Sequence, residues 1–250
     1  MISEKYGIVT GASRGIGAAM AEELAEQGYD VVITYNNRKE QAEAVKADLE
    51  SKYSIRAEIY QLAIEDEEGV KAFRVWCEET MGPNLCVLVN NAGIYCNCSV
   101  EKLDPELFNK MIDTNVKGTF YVTHYFADLM IARKYGKIVN VSSVAGLQAA
   151  RGYTAYSGSK FAVRGMTQAM ACDLAEYNIQ VNCLAPAVFK TDMLLDACKI
   201  NPSLMDQRIA AVPLHRVGEV VEARYALKYF LESDFITGQV VSPNGGLTMI

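Results

Sequence analysis

Apolar runs alternate with amphipathic stretches along the whole chain. Short apolar runs rich in β-branched residues predict buried strands at 6–10, 30–35, 56–62, 85–90, 136–142, 179–184 and 238–242. Between them, apolar residues at helical spacing predict helices near 15–27, 38–51, 66–81, 105–133, 154–177 and 219–232. Because strands that alternate with helices are typical of βαβ units, we expect an α/β protein with a doubly wound parallel sheet of about seven strands.

One segment interrupts this alternation. Residues 188–212 lie between two predicted elements and are rich in apolar side chains, namely Val188, Phe189, Met193, Leu194, Leu195, Ile200, Leu204, Met205 and Ile209. An amphipathic helix packed on the core and a lid over an apolar substrate both fit this composition. No linker, repeat or low-complexity segment divides the rest of the chain, so we expect residues 1–250 to form one domain.

Composition excludes several classes of partner. The 250 residues carry a net charge of −6 and no basic tract, which argues against binding to nucleic acid or to an anionic membrane surface. No apolar run reaches the roughly 18 residues of a membrane span. The opening residues 1–5 resemble the start of a strand rather than a secretory signal, so the expected location is the cytoplasm.

The seven cysteines are scattered, and only Cys96 and Cys98 are close together. A metal site at this C-x-C pair would need further ligands, and the two histidines, His124 and His215, are distant in sequence. We therefore expect reduced thiols and no metal.

A glycine-rich turn follows the first predicted strand. The sequence TGASRGIG spans residues 10–17 and places glycines at 11, 15 and 17 before the first predicted helix. Glycines at such a turn let the backbone approach a pyrophosphate, which rests on the N-terminus of the helix. A tight strand–helix turn without a ligand is the alternative. The dinucleotide interpretation predicts a Rossmann-type sheet.

A second motif lies in the other half of the chain. Tyr156 and Lys160 are four residues apart, so they share one face of the predicted helix, and Ser143 precedes the tyrosine by thirteen residues. A phenol has a pKa near 10, and a cation close by favours the phenolate and lowers that pKa. Such a phenol could give a proton to a carbonyl oxygen, or take one from an alcohol.

Together the two motifs resemble the short-chain dehydrogenase/reductase family, and the likeness covers nearly the whole chain. Further pieces of the family pattern appear in order: NNAG at 90–93, Asn115, Pro186-Ala187 and Thr191-Asp192-Met193. Within the family, the chain is similar to the β-ketoacyl-[acyl-carrier-protein] reductases and to related bacterial hydroxysteroid dehydrogenases. The resemblance implies that residues 188–212 form the substrate lid. It also implies a homotetramer that pairs the helices of 105–133 and 154–177 and the C-terminal segment near Gly245-Gly246-Leu247.

The resemblance assigns catalytic roles residue by residue. Tyr156 would donate the proton, and Lys160 would lower the pKa of the tyrosine and hydrogen-bond the nicotinamide ribose. Ser143 would hold the substrate carbonyl, with neighbouring Ser142 as the less favoured candidate for that role. Asn115 would hold a proton-relay water beneath the lysine.

NADP(H) is the expected cofactor. Rossmann-type NAD sites place an acid at the end of the second strand, but here that strand ends without one, and Asp30 is at its opposite end. Arg14 and Arg38 could instead clamp a 2′-phosphate. Ala63 replaces the family's adenine-binding aspartate, so adenine would contact the backbone of Ile64. The expected cofactor contacts are Gly11, Ser13, Arg14, Gly15, Ile16, Gly17, Asn36, Arg38, Ala63, Ile64, Asn91, Ala92, Gly93, Tyr156, Lys160, Pro186, Phe189 and Thr191.

These features predict an NADPH-dependent carbonyl reductase or alcohol dehydrogenase. Its substrate would be an apolar ketone or a β-ketoacyl thioester, with a free steroid or bile acid as an alternative. An acyl carrier protein needs a basic docking patch, for which Arg133, Lys134 and Lys137 are candidates at one side of the cleft mouth. Tyr177 occupies the other position at which the family has a basic docking residue. The sequence therefore supports an acyl carrier protein as partner only in part. A non-catalytic protein that senses dinucleotides is a further alternative.

Overall fold

The computed structural model describes residues 5–249, apart from the side chains of Met193 and Ala197. The expectation for residues 1–4 lies outside this range. Seven strands form one parallel sheet: β1 (Tyr6–Val9), β2 (Asp30–Tyr35), β3 (Ala57–Gln61), β4 (Leu85–Asn90), β5 (Gly136–Val141), β6 (Ile179–Leu184) and β7 (Val240–Val241). Their spatial order is β3-β2-β1-β4-β5-β6-β7. The predicted α/β class with a doubly wound, Rossmann-type sheet is confirmed.

Nine α-helices pack on the sheet or extend from it within the described residues. They are α1 (Gly15–Glu26), α2 (Lys39–Lys52), α3 (Glu67–Met81), α4 (Pro105–Ile112), α5 (Thr119–Arg133), α6 (Thr154–Leu174), α7 (Asp192–Ile200), α8 (Leu204–Ala211) and α9 (Val220–Glu232). Short 3₁₀ turns follow β5 at Val144–Gly146 and end α6 at Ala175–Tyr177.

Alternation along each strand divides the core into two layers. In β4, Val87 and Val89 pack in the cluster that contains the apolar faces of α1 and α9. Leu88 points to the opposite cluster, with Phe73 of α3 and Phe126 of α5. Both faces of the sheet are therefore covered, as a parallel sheet with apolar residues on both faces requires.

The structure corrects the prediction of one continuous helix over 105–133. A π-helical segment, Asp113–Gly118, separates α4 from α5. Gly118 leaves room for the Ile64 side chain beside this segment, since a β-carbon there would lie 2.6 Å from it. A π-helical turn accommodates one extra residue, and such turns frequently occur at functional sites. Hydrophobic periodicity alone could not reveal it.

The strand order changes direction between β1 and β4, since β1 leads outward to β2 and β3 while β4 leads to β5, β6 and β7. The carboxyl ends of these strands meet at one edge of the sheet, where ligands bind in such folds. The glycine turn, NNAG and the segment with Ser143 follow β1, β4 and β5 respectively.

Candidate active site

The glycine turn packs closely against the chain that follows β4, at the N-terminus of α1. Gly11 and Gly15 have φ values of +64° and +60°, which favour glycine. A β-carbon on Gly17 would lie 2.5 Å from the side-chain nitrogen of Asn91. Gly17 therefore lets the turn pack against Asn91, and the N-terminus of α1 that follows is the kind of site at which phosphates bind.

Hydrogen bonds join this turn to the chain after β4. Thr10 begins the turn, and Asn91 follows β4. The Asn91 side chain donates to the carbonyl oxygens of Thr10 and Gly11 at 2.9 and 3.1 Å. The hydroxyl of Thr10 accepts from the backbone N–H groups of Asn91 and Ala92, both at 3.0 Å. The sequence analysis did not single out Thr10, whose contribution depends on a neighbour about eighty residues away.

Arg14 and Arg38 lie on the same side of the turn, near α7. Arg14 forms an ion pair with Asp192 at 3.5 Å. The pKa of Asp196 is lowered, first by its hydrogen bond and ion pair with Lys199, and further by the charges of Arg14 and Arg38. Both predicted phosphate-binding arginines thus face acidic residues at the start of the 188–212 segment.

The remaining predicted contacts of the adenosine half line the same edge. Asn36 follows β2 and is exposed, with its carbonyl oxygen accepting from Gln61 at 2.8 Å. Ala63 follows β3 and is partly buried, whereas the Ile64 side chain is buried against Gly118. Ser13 and Ile16 lie partly buried in the glycine turn and the first turn of α1.

Asn115 lies in the π-helical segment and anchors the chain that follows β4. Its side-chain oxygen accepts from the N–H of Ile94 at 2.8 Å, and its amide nitrogen donates to the Ile94 carbonyl at 2.9 Å. The same amide nitrogen donates to the Ser159 hydroxyl at 2.9 Å. A β-carbon on Gly93 would lie 3.0 Å from Asn115 and 3.5 Å from Lys160 Nζ, so Gly93 leaves room beside the lysine.

Ser142 and Ser143 have different surroundings at the end of β5. Ser142 donates its hydroxyl to the Lys160 carbonyl oxygen at 2.8 Å and is buried. The Ser143 oxygen accepts from the N–H of Ala145 at 3.1 Å, and Ser143 is close enough to Tyr156 to lower the pKa of that phenol. The structure therefore brings Ser143, rather than Ser142, to the tyrosine.

The pKa of Tyr156 does not follow the expectation from its spacing to Lys160. Burial raises this pKa, a nearby tyrosine, Tyr153, raises it further, and the hydrogen bond with Ser143 opposes the increase. Lys160 Nζ lies 5.9 Å from the centre of the Tyr156 ring. At that separation Ser143, not the lysine, lowers the pKa, so the predicted direction is wrong for the chain alone.

Lys160 is buried beneath the site. Its Nζ donates to the Val141 carbonyl oxygen at 2.8 Å, and no carboxylate pairs with it among residues 5–249. Burial lowers the pKa of Lys160 to about 8, with a smaller opposing effect from Cys183. The amine is thus poised to lose or gain its proton near neutral pH.

Pro186, Phe189 and Thr191 follow β6. The Pro186 carbonyl oxygen accepts from the N–H of Val144 at 3.1 Å, which ties this loop to the serine segment. The Phe189 ring is buried against Gly218. The Thr191 methyl lies 3.5 Å from the position of a β-carbon on Gly15.

An aromatic cluster next to Tyr156 was not predicted. The Tyr95 and Tyr153 rings meet the Tyr156 ring edge-on, with centroid distances of 5.0 and 6.0 Å. Tyr95 and Tyr153 join their hydroxyls at 3.2 Å, and Arg208 of α8 donates to the Tyr153 hydroxyl at 3.0 Å. Burial tends to raise the pKa of Tyr153, but its hydrogen bonds with Tyr95 and Arg208 lower that pKa below its ordinary value.

Residues 5–199 match the family model described as short chain dehydrogenase. The chain belongs to the short-chain dehydrogenase family. This family consists of oxidoreductases, so the predictions of the family and of an enzyme of this class are confirmed.

Relatives resemble this short-chain dehydrogenase over nearly its whole length. The 3-oxoacyl-[acyl-carrier-protein] reductase FabG of Staphylococcus aureus is 37% identical over 98% of both chains. Acetoacetyl-CoA reductase of Paracoccus denitrificans is 35% identical over 97% of this chain and 98% of its own. A gluconate 5-dehydrogenase from Burkholderia cenocepacia, solved with NADP and tartrate, is 32% identical, with a TM-score of 0.90 over 99% of this chain and 96% of that one.

The predicted docking patch is not formed at the cleft of this short-chain dehydrogenase. Lys137 is 3% exposed, and its Nζ binds two carbonyl oxygens of the α9 end and the Asp234 carboxylate at 2.9 Å. Arg133 and Lys134 precede β5, at the edge of the sheet opposite Ser143. Asn178 donates to the Lys134 carbonyl oxygen, which places Tyr177 at that opposite edge as well.

The other expectations about the surface concern cysteines and membranes. Cys96 and Cys98 are partly buried free thiols, and no cluster of metal-binding side chains occurs among the described residues. Within residues 5–249, none of the helices has the length and apolar character needed to cross a bilayer.

Proposed function

We propose that the protein is an NADP(H)-dependent carbonyl reductase that can also oxidise the corresponding alcohol. The observation that carries this proposal is the placement of Ser143 and Tyr156 beside the buried Lys160, whose Nζ lies 5.9 Å from the centre of the tyrosine ring, next to a glycine turn. A protein that only senses dinucleotides would not need these three side chains together. We assign the catalytic roles to Asn115, Ser143, Tyr156 and Lys160.

The residues present fit an NADP(H) cofactor. The glycine turn at the N-terminus of α1 suits a pyrophosphate, and Arg14 with Arg38 suits a 2′-phosphate. No acid stands at the end of β2 to favour a free ribose hydroxyl. The related gluconate 5-dehydrogenase was solved with NADP, which supports the assignment. When bound, the cofactor supplies the hydride for the carbonyl carbon.

The protein's own residues handle the proton and the oxygen. The Ser143 hydroxyl can donate to the carbonyl oxygen of the substrate and stabilise the charge that develops there. Tyr156 then gives its phenolic proton to that oxygen, and an alcohol forms. Ser143, which opposes the increase in the pKa of Tyr156, also stabilises the resulting phenolate, and Lys160 lies on the same helix face with its Nζ 5.9 Å from the ring centre. Asn115 holds the loop at Ile94 and the Ser159 hydroxyl in place beneath them.

We propose a β-ketoacyl thioester as the first candidate substrate. Relatives that are 37% and 35% identical are named for the reduction of 3-oxoacyl and acetoacetyl thioesters. The buried position of Lys137 weakens the case for an acyl carrier protein as the carrier of that thioester.

A free apolar ketone, such as a steroid or bile acid, is the second candidate. The aromatic wall of Tyr95 and Tyr153 beside Tyr156 favours it, since these rings can pack on a hydrophobic substrate. We also propose that the 188–212 segment covers this substrate as a lid. Thr191 adjoins the glycine turn and Arg208 reaches Tyr153, so both ends of the segment contact the site.

A substrate panel tests the proposed function. NADPH oxidation is followed at equal concentrations of a β-ketoacyl thioester on carrier protein, the same acyl group on a small thiol, and a free steroid ketone. We expect the small thioester to be reduced with little dependence on salt. If the carrier-bound thioester is much faster and its rate falls steeply with salt, charged docking is decisive. Absence of NADPH oxidation with every ketone would refute the reductase assignment.

The proposed assembly is a cytoplasmic homotetramer. Phe120 of α5 and Phe161 of α6 are exposed large apolar side chains on the helices expected to pair. Val163 is buried within the chain, so core packing absorbs part of the apolar surface expected on α6. Light scattering at micromolar concentration should give about four times the chain mass, and a Phe120→Ser, Phe161→Ser variant should be smaller.

A further inference from the structure

Arg208 is the cationic side chain that α8 presents to the aromatic cluster. It is partly buried and donates one hydrogen bond, to Tyr153 at 3.0 Å. Within the described part of the chain, no carboxylate lies within ion-pair distance of its guanidinium. A guanidinium carries five N–H donors in a planar fork. Most of its donor capacity is therefore available to a ligand.

Arg208 is linked to Tyr156, the proposed proton donor, through Tyr153. Its partner Tyr153 lies one helical turn before Tyr156, and their ring centres are 6.0 Å apart. Tyr95 contacts both rings and hydrogen-bonds Tyr153, which fixes the hydroxyl that Arg208 binds. A substrate whose ketone oxygen reaches Tyr156 would extend its neighbouring atoms past this wall.

A purely structural role explains the contact less well. Anchoring α8 would need only an apolar residue, since tyrosine rings offer hydrophobic surface there. Arginine is instead suited to planar oxygen acceptors such as carboxylates, and it is more weakly hydrated than lysine. An arginine without a carboxylate partner, held by a tyrosine at the substrate wall, points to a ligand that supplies the acceptor.

We propose that Arg208 binds a second acceptor oxygen of the substrate. This oxygen belongs to a carbonyl group that one carbon separates from the reacting ketone. In a β-ketoacyl thioester this oxygen belongs to the thioester carbonyl, and in a free β-keto acid it belongs to the carboxylate. The inference rests on the proposed reductase function and names the substrate class of the same site. Arg208 is thus a specificity-determining residue for β-dicarbonyl substrates over isolated ketones.

The experiment compares kcat/KM for three substrates of matched chain length with NADPH. They are a β-ketoacyl thioester of N-acetylcysteamine, the free β-keto acid, and a ketone without the second carbonyl. Arg208→Gln should lower kcat/KM for the β-keto acid by about 10- to 100-fold relative to the isolated ketone, as expected for a hydrogen bond to a charged group. The thioester should lose less than the acid, because its oxygen carries no full charge.

Two further variants keep the test decisive. Arg208→Lys should recover part of the preference for the β-keto acid, and it covers the case in which Arg208→Gln folds poorly. Arg151→Gln removes an exposed arginine close to Tyr153 in sequence and should leave the ratio between substrates unchanged. Equal losses on all three substrates, or no loss on the acid and the thioester, would overturn the inference. Inactivity of the wild type on all three would instead count against the reductase assignment.

Discussion

The floor of the site and the segment beside it are stabilised in different ways. The floor residues Asn115, Ser143 and Lys160 are all below 9% exposure, and hydrogen bonds tie Asn115 to α6 and Lys160 to β5. In the 188–212 segment, α8 has no buried residue among those described, and Ile200 at the end of α7 is 88% exposed.

This difference separates two tasks of the same site. Rigid, buried partners hold the groups that move a proton, because small misplacements of such groups reduce rates strongly. The 188–212 segment is anchored at its two ends by the buried side chains of Phe189 and Val212, and it reaches the site through polar contacts of Asp192 and Arg208. Substitutions in the floor should therefore change turnover, while substitutions in the segment should change which molecules bind.

The largest expected effect concerns Tyr156. Tyr156→Phe keeps the ring and its packing but removes the proton donor, so kcat should fall by about 10² to 10⁴-fold. Steady-state kinetics with NADPH and the best ketone of the panel measure this. Tyr153→Phe is the matched comparison, one turn earlier on the same helix face, and should reduce kcat much less. Comparable losses in the two folded variants would contradict the assignment of the proton to Tyr156.

The next prediction concerns the cofactor rather than the substrate. Replacing Arg14 and Arg38 together with Gln should weaken NADPH binding about 10²-fold or more, since charge-assisted hydrogen bonds contribute about 1.5–3 kcal/mol each. Binding of NADH, which lacks the 2′-phosphate, should change little. Titration of intrinsic fluorescence with each cofactor gives the two dissociation constants. Equal weakening of both, or a preference of the wild type for NADH, would refute the phosphate clamp.

A pH-dependent prediction follows from the burial of Lys160. Its pKa falls from an ordinary value near 10.5 to about 8 in the folded protein, so the unfolded state binds more protons between these values. Stability from this group therefore increases as pH rises through that window and is lowest below pH 8. Relative to Lys160→Met, the wild type should gain up to about 3 kcal/mol from pH 8 to 10.5.

Urea unfolding of the wild type and of Lys160→Met across this pH range measures the difference. Only the change in the stability gap with pH matters, because the variant also loses the hydrogen bond to the Val141 carbonyl oxygen. A difference in unfolding free energy that stays constant from pH 8 to 10, or that changes in the opposite direction, would show that the pKa of Lys160 is not lowered in the folded chain.

The smallest effect should come from the acids that face the arginine pair. Asp192→Asn and Asp196→Asn remove charges that compete with a 2′-phosphate for Arg14 and Arg38. Because exposed ion pairs are weak, the dissociation constant for NADPH should fall only about two- to fivefold in the double variant. NADH binding serves as the internal control. Weaker NADPH binding in this variant would mean that the acids position the arginines rather than compete.

Local patterns predicted the features that depend on neighbours in sequence. Gly11 and Gly15 could be identified because a strand–turn–helix boundary with glycines has few other uses. The Tyr156–Lys160 pair followed from helical spacing. The pKa of Tyr156 could not be predicted from that spacing. Burial and Ser143 determine it, and both depend on the assembled sheet.

Features that join distant segments were missed. Arg208 and Tyr153 are 55 residues apart, and nothing in either local sequence indicates their contact. Lys137 was mistaken for a surface residue because lysine is usually exposed, yet Asp234, 97 residues later, makes its burial tolerable. Long-range pairing of polar groups decides such positions, and it follows from topology rather than from local pattern.

The widened turn at Asp113–Gly118 gives the enzyme an unusual sensitivity to chain length. A π-helical turn holds one residue more than the α-helix around it, so deletion of Val116 would let α4 and α5 join as one regular helix with their apolar faces still in register. The deleted form should fold and yet lose Asn115 from its place beside Ile94. Loss of one residue would then remove the activity while the helical fold is retained.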